Sequence, residues 1–414
     1  MVCEQSLWFS QKIITTPLSF PEKVETSLKL LIYSHDWAPL VGGVQTVTKD
    51  LAEGISLWSK AHANQIIDVT LITDSPAGDM NDSVLPFRVI RRPGFASLLA
   101  NIWSADVVHL ANPAFLPLVI AWLVRKPTVI EHHGYHAICP NGLLLYTPDN
   151  SACPGHFMAA AYGKCVACCS ETMGGMRGFR TVLFTFLRRW LCTHASANIA
   201  ISDHVAQRIC LPRTQTIYHG VRDSGFDIPL KTLTAEYCLQ IGYVGRFVEE
   251  KGLPILIEAA KKLKEAGVSF RLTLIGDGDM REKLESEIDS QGIRDRVRFT
   301  GYLTGTALEL ALEEIQVIVM TSQVEEAAGL AAMEHMMRAG LVVVADIGGL
   351  GEVVGEAGLK FVPGDPNSLF IRLREIAENP SAFEDLPMAA RRRAAEKFTL
   401  PAMIQEHVSL YQRL

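Results

Sequence analysis

The chain has 414 residues, enough for two or three domains of about 100 to 200 residues that each bury a core. Its 39 Lys and Arg residues against 45 Asp and Glu residues give a net charge of −6, without the basic excess typical of nucleic-acid-binding proteins. The sequence also contains no uninterrupted apolar run near the roughly 20 residues that a membrane-spanning helix needs.

Residues 1–27 are predicted to form an extension ahead of the first strand. Glu4 precedes a short, broken apolar patch, so the positively charged and then apolar order of an export signal is missing. The nine cysteines are an odd number in a long chain, which is not typical of a secreted disulfide framework. Both observations favour a cytoplasmic protein.

Short runs rich in Val and Ile alternate with longer segments of helical periodicity in the first half of the chain. The runs that predict strands are residues 28–34, 66–73, 105–111 and 127–133. Helical spacing occupies residues 46–60 and 114–126. This alternation predicts a parallel sheet with helices on both faces.

The same alternation starts again in the second half. Its predicted strands are residues 237–245, 270–276, 296–301, 315–322 and 340–346. We therefore predict two doubly wound, Rossmann-like α/β domains that face each other across a cleft. Ligands of such sheets bind beyond the carboxyl ends of the strands, where the two domains would meet.

The boundary between the domains is predicted near residue 223. Gly220, Gly225 and Pro229 lie there in a stretch without apolar periodicity. The domains are then residues 28–222 and 223–396, with helical segments expected at 366–377 and 387–396. The remaining segment, 397–414, is predicted to be a helix that could pack back on the first domain through Met403, His407, Leu410 and Tyr411.

Two strand ends carry residues suited to an anion. Gly42 and Gly43 open the first long helix, where free backbone N–H groups can bind a negative charge, although paired glycines also suit a simple tight turn. Arg246 and Lys251 follow the first strand of the second domain, and two cations there suit a diphosphate. The alternative is that Arg246 pairs with a neighbouring glutamate and Lys251 is solvated.

Glu326 and Glu334 are eight residues apart in the second half. This spacing would place Glu326 at a strand-to-helix turn and Glu334 two turns along the helix, so that one acid could face a reacting sugar and the other a more distant hydroxyl pair. Gly329 permits close backbone approach between them. Two glutamates at this spacing are also common on solvated helices, so the pair carries weight only through its surroundings.

Motifs along nearly the whole chain resemble those of the retaining, nucleotide-sugar-dependent glycosyltransferases of family 4, which have the two-domain GT-B fold. The resemblance rests on the order and spacing of these segments: GGVQTV, VVHL, EHHGYH, ISDH, YHGV, VGRFVEEKG, LTLIGDGDMREKLE, VRFTGYL, the two glutamates, GGLGEVV and EKFTLPAMIQEHVSLYQ. It implies an enzyme of the EC 2.4 class that moves a sugar from a UDP-, GDP- or ADP-sugar to a hydroxyl acceptor. A lipid-linked or envelope glycan is one such acceptor.

The resemblance also implies a role for individual residues. Donor binding falls mainly to the second domain and acceptor binding to the first, and no obligatory catalytic metal is expected. The implied set comprises Arg246 and Lys251 on the donor diphosphate, Glu334 on the ribose, Glu326 and His133 beside the donor sugar, Gly42 and Gly43 near the phosphates, and Gly329 and Leu330 in the donor-binding loop.

Several positions depart from the family pattern. The loop after Glu326 reads Ala327, Ala328, Gly329, Leu330 where Gly-Phe-Gly-Leu is usual, and Ala at 327 would cost about 1 kcal/mol or more if the site needs a positive φ. Thr321 stands where proline is common, and His219 and Arg222 replace the asparagine and aspartate of a frequent NGVD turn. Two alternatives therefore stay open: a catalytically impaired partner subunit, and another GT-B enzyme such as a phosphorylase.

A cysteine-rich insertion is predicted at residues 136–175. Cys139, Cys153, Cys165 and Cys168 include a C-x2-C pair and suit a structural zinc, with Cys169 as a substitute for Cys168. A subset of family 4 resembles this arrangement. Buried free thiols, a labile disulfide and an iron–sulfur cluster are the alternatives.

The segment after the insertion is basic and apolar. Arg177, Arg180, Arg188 and Arg189 lie among Phe, Leu and Trp, with no acid between Glu171 and Asp203. Such a helix could lie on an anionic membrane surface. We favour the alternative, a helix whose apolar side is buried in the first domain and whose basic edge is solvated.

Overall fold

The computed structural model describes residues 27–62, 64–223 and 238–414. The predicted N-terminal extension lies almost wholly outside the described residues, as do Gly225 and Pro229 of the predicted linker. The described chain folds into two parallel sheets with helices on their faces, as the alternation predicted.

The first sheet has seven parallel strands in the order β3-β2-β1-β4-β5-β8-β9. A two-stranded antiparallel hairpin, β6-β7, stands apart from it. The strands of this half are β1 (Leu28–Ser34), β2 (Ile67–Thr73), β3 (Arg88–Arg91), β4 (Val107–Ala111), β5 (Thr128–His132), β6 (Leu145–Tyr146), β7 (Ser151–Ala152), β8 (Ala197–Ala200) and β9 (Thr214–Thr216).

Six helices accompany this sheet, and a 3₁₀ turn spans Asp82–Val84. The helices are α1 (Gly43–Ala61), α2 (Phe95–Ser104), α3 (Phe115–Leu123), α4 (Tyr162–Met173), α5 (Gly175–His194) and α6 (Asp203–Ile209). The predicted insertion is therefore the β6-β7 hairpin and α4, which lead directly into α5.

The second sheet has six parallel strands in the order β12-β11-β10-β13-β14-β15. Its strands are β10 (Leu239–Val244), β11 (Phe270–Ile275), β12 (Val297–Gly301), β13 (Val317–Met320), β14 (Leu341–Ala345) and β15 (Leu359–Phe361). Its helices are α7 (Leu253–Glu265), α8 (Arg281–Ser290), α9 (Gly305–Glu314), α10 (Leu330–Met337), α11 (Gly349–Val354), α12 (Pro366–Glu378) and α13 (Leu386–Lys397), with 3₁₀ turns at Glu249–Lys251, Arg294–Arg296 and Pro380–Phe383.

The C-terminal helix α14 (Leu400–Tyr411) packs against the first domain. Thr399 caps it by accepting a hydrogen bond from the backbone N–H of Ala402. Its four predicted contact residues are all buried, and Ile404 packs so closely on Gly54 of α1 that a Cβ there would lie 2.1 Å from its side chain. The chain therefore crosses between the domains again near its C-terminus.

The central strands are apolar on both faces because helices cover both sides of each sheet. All five residues of β4 and of β14 are buried. One apolar cluster runs continuously from Ile201 in the first domain to Ala328 and Leu350 in the second, so apolar packing joins the domains. In the described part of the chain, no helix combines the length and the apolar content needed to cross a bilayer.

Candidate active site

A cavity of about 520 Å³ lies between the two domains, at the carboxyl ends of the central strands. Such strand ends are where open parallel sheets bind ligands. The cavity is lined by every sequence-predicted site residue other than the cysteines: Gly42, Gly43, His133, Arg246, Lys251, Glu326, Gly329, Leu330 and Glu334.

Two cations follow β10 at the edge of this cavity. The Arg246 side chain is 57% exposed, and its one ion pair among the described residues is a 3.7 Å contact with Glu250. Lys251 is largely covered and points inward, where its Nζ donates to Glu326. The exposed guanidinium can therefore reach a ligand without breaking a strong contact.

Glu326 is held as an ion by its neighbours. Burial by itself would raise the pKa of this carboxyl, but the charge of Lys251, the hydrogen bonds from Lys251 and Ser322, and the charge of Arg246 together outweigh burial and lower the pKa below its ordinary value. Ser322 donates a second hydrogen bond to the same carboxylate oxygen as Lys251. The site thus presents an ionised, oriented acid beside a cation.

Thr321, which replaces the family's proline, supports the lysine. Its hydroxyl donates to the carbonyl oxygen of Lys251 at 2.8 Å. Gly252, which follows Lys251 in the chain, has a φ of +65°, and a Cβ there would lie 2.2 Å from the Thr321 carbonyl oxygen. Glycine is required at this position by both its conformation and its packing.

Glu334 lies on α10 with its carboxyl directed at the cavity. Burial raises the pKa of this carboxyl to about 7; Arg338 opposes the shift, while Glu309 and Asp50 add to it. Among the described residues, its carboxylate makes no hydrogen bond or ion pair, since Arg338 donates only to its backbone carbonyl. This acid is poised to accept hydrogen bonds from a ligand.

Two helix N-termini open on the same cavity. The first turn of α1 begins beside Gly42, and that of α10 begins beside Gly329. Neither helix has a side-chain cap, so backbone N–H groups at positively polarised helix ends are available to an anion. At position 329 φ is +148°, and a Cβ would lie 2.5 Å from Leu350.

The loop between Glu326 and Gly329 does not carry the expected strain. Neither Ala327 nor Ala328 has a positive φ, so the departure from the Gly-Phe-Gly-Leu pattern has no backbone cost of that kind. The turn after β14 supports the loop instead, because the N–H of Gly349 donates to the Glu326 carbonyl oxygen at 2.6 Å.

Residues that sequence reasoning missed hold the two domains together behind the cavity. Glu352 of α11 accepts from the backbone N–H groups of Asp203 and His204 at 2.8 and 2.7 Å, so it caps α6 across the interface. Glu325 accepts from the Arg208 side chain at 2.8 and 2.9 Å. The ISDH segment that starts α6 was a recognisable motif, but its partners are over 100 residues away.

His133 has its imidazole turned into the protein. Its side chain is only 2% exposed, and Nδ1 lies 3.1 Å from Nε2 of His219, while Nε2 lies 3.5 Å from the carboxylate of Glu131. Burial alone would raise the pKa of Glu131, but the surrounding histidines outweigh burial and lower it well below the usual range. The part of His133 open to the cavity is therefore mainly its backbone.

The cysteines of the insertion are buried and unpaired. Asn141 links two of them, accepting from the Cys139 thiol at 2.9 Å and donating to Cys168 Sγ at 3.4 Å. Two sets of potential metal ligands converge within 4.8 Å among the described residues, and neither includes a cysteine. Structural zinc at Cys139, Cys153, Cys165 and Cys168 stays a prediction.

Much of the apolar surface of α5 is exposed, so the preferred sequence interpretation of this helix is only partly correct. Its buried residues are Gly178, Val182, Thr185, Leu191 and Cys192. Its large apolar residues instead form an exposed stripe at helical spacing: Met176, Phe179, Leu183, Leu187 and Trp190.

Family comparisons match both halves of the chain. Residues 41–224 match the family model described as Glycosyltransferase Family 4, and residues 231–397 match the model described as Glycosyl transferases group 1. The seam between the two matches lies within a few residues of the predicted domain boundary.

Two similar proteins have names that describe glycosyltransferases, and a similar solved structure shares the fold. An uncharacterized glycosyltransferase of Methanocaldococcus jannaschii is 28% identical over 93% of this chain and 98% of its own. A 2-deoxystreptamine glucosyltransferase of Streptomyces kanamyceticus is 31% identical, but over 38% of this chain and 40% of its own. The solved structure of HepE from Anabaena with UDP and glucose shares the fold, with a TM-score of 0.67 at 18% identity over 94% of this chain and 100% of its own.

Proposed function

We propose that this chain, which belongs to the glycosyltransferases of family 4 and has the GT-B fold, is a retaining sugar transferase. It moves a sugar from a nucleotide-diphosphate donor to a hydroxyl acceptor. The observation that carries the proposal is the convergence of Arg246, Lys251 and Glu334 on one cavity between two parallel sheets. UDP-, GDP- and ADP-sugars all fit the chemistry of these groups.

In the proposed reaction, the bond between the anomeric carbon and the diphosphate oxygen breaks, and the diphosphate leaves with the electron pair. The acceptor oxygen bonds to the anomeric carbon and gives its proton to the departing diphosphate. Arg246, Lys251 and the N–H groups at the α1 and α10 N-termini stabilise the leaving diphosphate, so the charge compensation comes from the chain's own groups. Glu326 and the backbone of His133 border the donor sugar.

Calorimetry with a panel of nucleoside diphosphates, followed by nucleotide sugars, tests the donor class. We expect one diphosphate to bind and its sugar conjugate to be hydrolysed slowly to free nucleotide without an acceptor. Binding without hydrolysis or transfer for any donor would favour an impaired partner subunit. Turnover that depends on inorganic phosphate would identify a phosphorylase.

Glu334 predicts a pH dependence of donor binding. With a pKa of about 7, its carboxylate becomes protonated below neutrality and loses one of the hydrogen bonds it would accept from the ribose. We expect the Kd of a nucleotide sugar to rise about tenfold from pH 8 to pH 6. Glu334→Gln should bind weakly at both values and show little pH dependence.

The stability of the same variant supplies a control that needs no ligand. A carboxyl whose folded pKa is raised contributes stability below its ordinary value of 4.5, and that contribution is lost as the pH rises towards about 7. Glu334→Gln should therefore melt at a higher temperature than the unsubstituted protein at pH 8, with a smaller gain at pH 6. An equal gain at both values would show that the carboxyl does not titrate as stated.

The first domain offers a region for the acceptor. A second cavity of about 570 Å³ combines polar residues, among them His35 and Asp74, with Phe95 and Phe115. Arg188 of α5 lies in its wall, and Phe115 packs on Phe184 with ring centroids 5.0 Å apart. A cavity with apolar and polar walls beside an exposed apolar helix suits an amphipathic, lipid-linked acceptor.

We further propose that α5 docks on the anionic cytoplasmic surface of a membrane. Its stripe carries Met176 at 76% and Leu183 at 59% exposure, and Arg177 and Arg180 flank it. Leu183→Ser/Leu187→Ser should weaken cosedimentation with phosphatidylglycerol vesicles about tenfold or more, because apolar burial and charge act together.

A matched pair in the second domain controls for the loss of exposed apolar surface. Val362→Ser/Ile371→Ser removes side chains of similar exposure, 60% and 43%, and should bind vesicles like the unsubstituted protein. Binding should also fall with salt and be weak on neutral vesicles. Equal sedimentation of both double variants would contradict docking through α5.

A further inference from the structure

A buried carboxylate beneath the cleft is enclosed by imidazoles. Glu131 on β5 is 1% exposed. Its ion-pair contacts among the described residues are all with histidines: His109 at 3.1 Å, His133 at 3.5 Å, and His219 and His407 at 3.8 Å. Buried carboxylates are normally paired with a cation or bound to a metal, and no lysine or arginine reaches this one.

The donor atoms in this cluster have the spacing of a metal site. Glu131, His133 and His219 each offer one atom within 4.8 Å of the others. The individual contacts are 3.1 Å between His133 Nδ1 and His219 Nε2, 3.5 Å between His133 Nε2 and Glu131 Oε2, and 3.8 Å between His219 Nε2 and Glu131 Oε1, while the 4.8 Å limit holds for a single set of one atom from each residue. Tetrahedral zinc, with bonds of about 2.0 to 2.2 Å, separates its ligand atoms by roughly 3.4 Å.

Two of these atoms have no other partner. Oε1 of Glu131 and Nε2 of His133 are buried and make no hydrogen bond within the described structure. A buried polar atom without a partner costs about 1 to 3 kcal/mol, and more for a charged group. A coordinated cation would satisfy both.

Position relative to the cavity distinguishes the group of Glu131, His133 and His219 from a second group, which consists of Glu131, His109 and His407. His133 and His219 are among the residues that line the cavity between the domains, so this group lies directly beneath the cavity. His109 and His407 are 0% exposed, and Nδ1 of His109 is already bonded to the Tyr411 hydroxyl at 2.9 Å. The group of Glu131, His133 and His219 is therefore the one nearer to the cleft.

We propose that Glu131, His133 and His219 bind a divalent transition-metal ion of the zinc class at the floor of the cleft. Two imidazoles and a carboxylate suit zinc or cobalt. His219 stands where the family pattern has asparagine, so the site is a feature of this chain. It does not rest on the proposed sugar transfer, and failure of either leaves the other standing.

Titration of the full-length, metal-stripped protein with Co²⁺ alone tests the site. We expect one equivalent to produce visible d–d bands without a sulfur-to-cobalt charge-transfer band, which separates these ligands from the cysteines. His219→Asn should weaken this binding at least tenfold and is expected to fold, since asparagine is common there. Glu131→Gln should do the same. His136→Asn, a histidine outside the cluster, should bind Co²⁺ normally.

Each outcome decides the proposal. Loss of the d–d bands in His219→Asn, with an unchanged melting temperature, supports the site even if Glu131→Gln does not fold. Absence of binding in the unsubstituted protein would overturn it and make the cluster a proton-sharing network. Binding only with a sulfur charge-transfer band, or equal binding by His219→Asn, would overturn it as well.

Discussion

Arg246→Ala is expected to lower kcat/KM for the nucleotide sugar by about 10²- to 10³-fold, because preorganised positive charge at a leaving group is worth about 3 to 4 kcal/mol. The guanidinium is 57% exposed and makes only a 3.7 Å contact with Glu250, so the fold does not depend on it. The melting temperature should therefore stay within a degree or so. Initial rates with the donor identified by calorimetry, together with thermal melts, provide the measurement.

Arg374→Ala is the matched control. Arg374 is 49% exposed and pairs with Glu378 four residues later, as Arg246 pairs with Glu250, but it lies on α12 outside the cavity. It should retain full activity. Arg246→Lys should fall between the two, since it keeps the charge and loses the planar fork that matches phosphate oxygens. Unchanged kinetics in Arg246→Ala would contradict the diphosphate role.

Lys251→Met is expected to lower the free energy of unfolding by about 2 to 3 kcal/mol, somewhat less than the 3 to 5 kcal/mol for a fully buried ion pair. It would leave Glu326 with one hydrogen bond from Ser322 and no direct cation. The pKa of Glu326 is lowered in the folded protein, so this stability is present above the ordinary value of 4.5 and is lost as the pH falls. Urea unfolding at pH 7 and at a pH well below 4.5 gives the measurement.

The double variant Lys251→Met/Glu326→Gln separates stability from function. It removes the unpaired charge along with its partner and should recover most of the lost stability at pH 7, because a neutral amide is cheaper to bury than a lone carboxylate. It should not recover activity, since both groups that would face the donor are gone. Recovery of turnover in the double variant would show that neither residue acts on the donor.

Much of the fold could be predicted because strongly periodic segments fold in the same way in many contexts. The predicted strand at residues 28–34 coincides with β1, and all nine predicted strands are present. The strands that the sequence did not reveal, β3, β6, β7, β8, β9 and β15, are two to four residues long. So short a run has no measurable period, and its sheet partner decides its conformation.

The residues of the candidate site also divide into those that the sequence could identify and those that it could not. Arg246, Lys251 and Glu334 could be placed because each lies just after a strand or at a known helical spacing from one. The interface acids Glu325 and Glu352 could not, since their partners Arg208 and His204 come from the other domain. The exposure of α5 was also predicted incorrectly in part. Amphipathic spacing shows that a helix has two different faces, but it does not show which face packs against the core.

The amino-acid sequence by itself determined two doubly wound domains, the position of the cleft and the groups there that we propose bind a diphosphate. Each of these depends on local periodicity or on motifs at strand ends, which neighbouring residues along the chain specify. Only the tertiary structure decided that Glu326 pairs with Lys251, that the pKa of Glu334 rises to about 7, and that four histidines surround Glu131. Those properties arise from desolvation and from contacts between residues far apart in the chain, and both exist only once the domains have packed together.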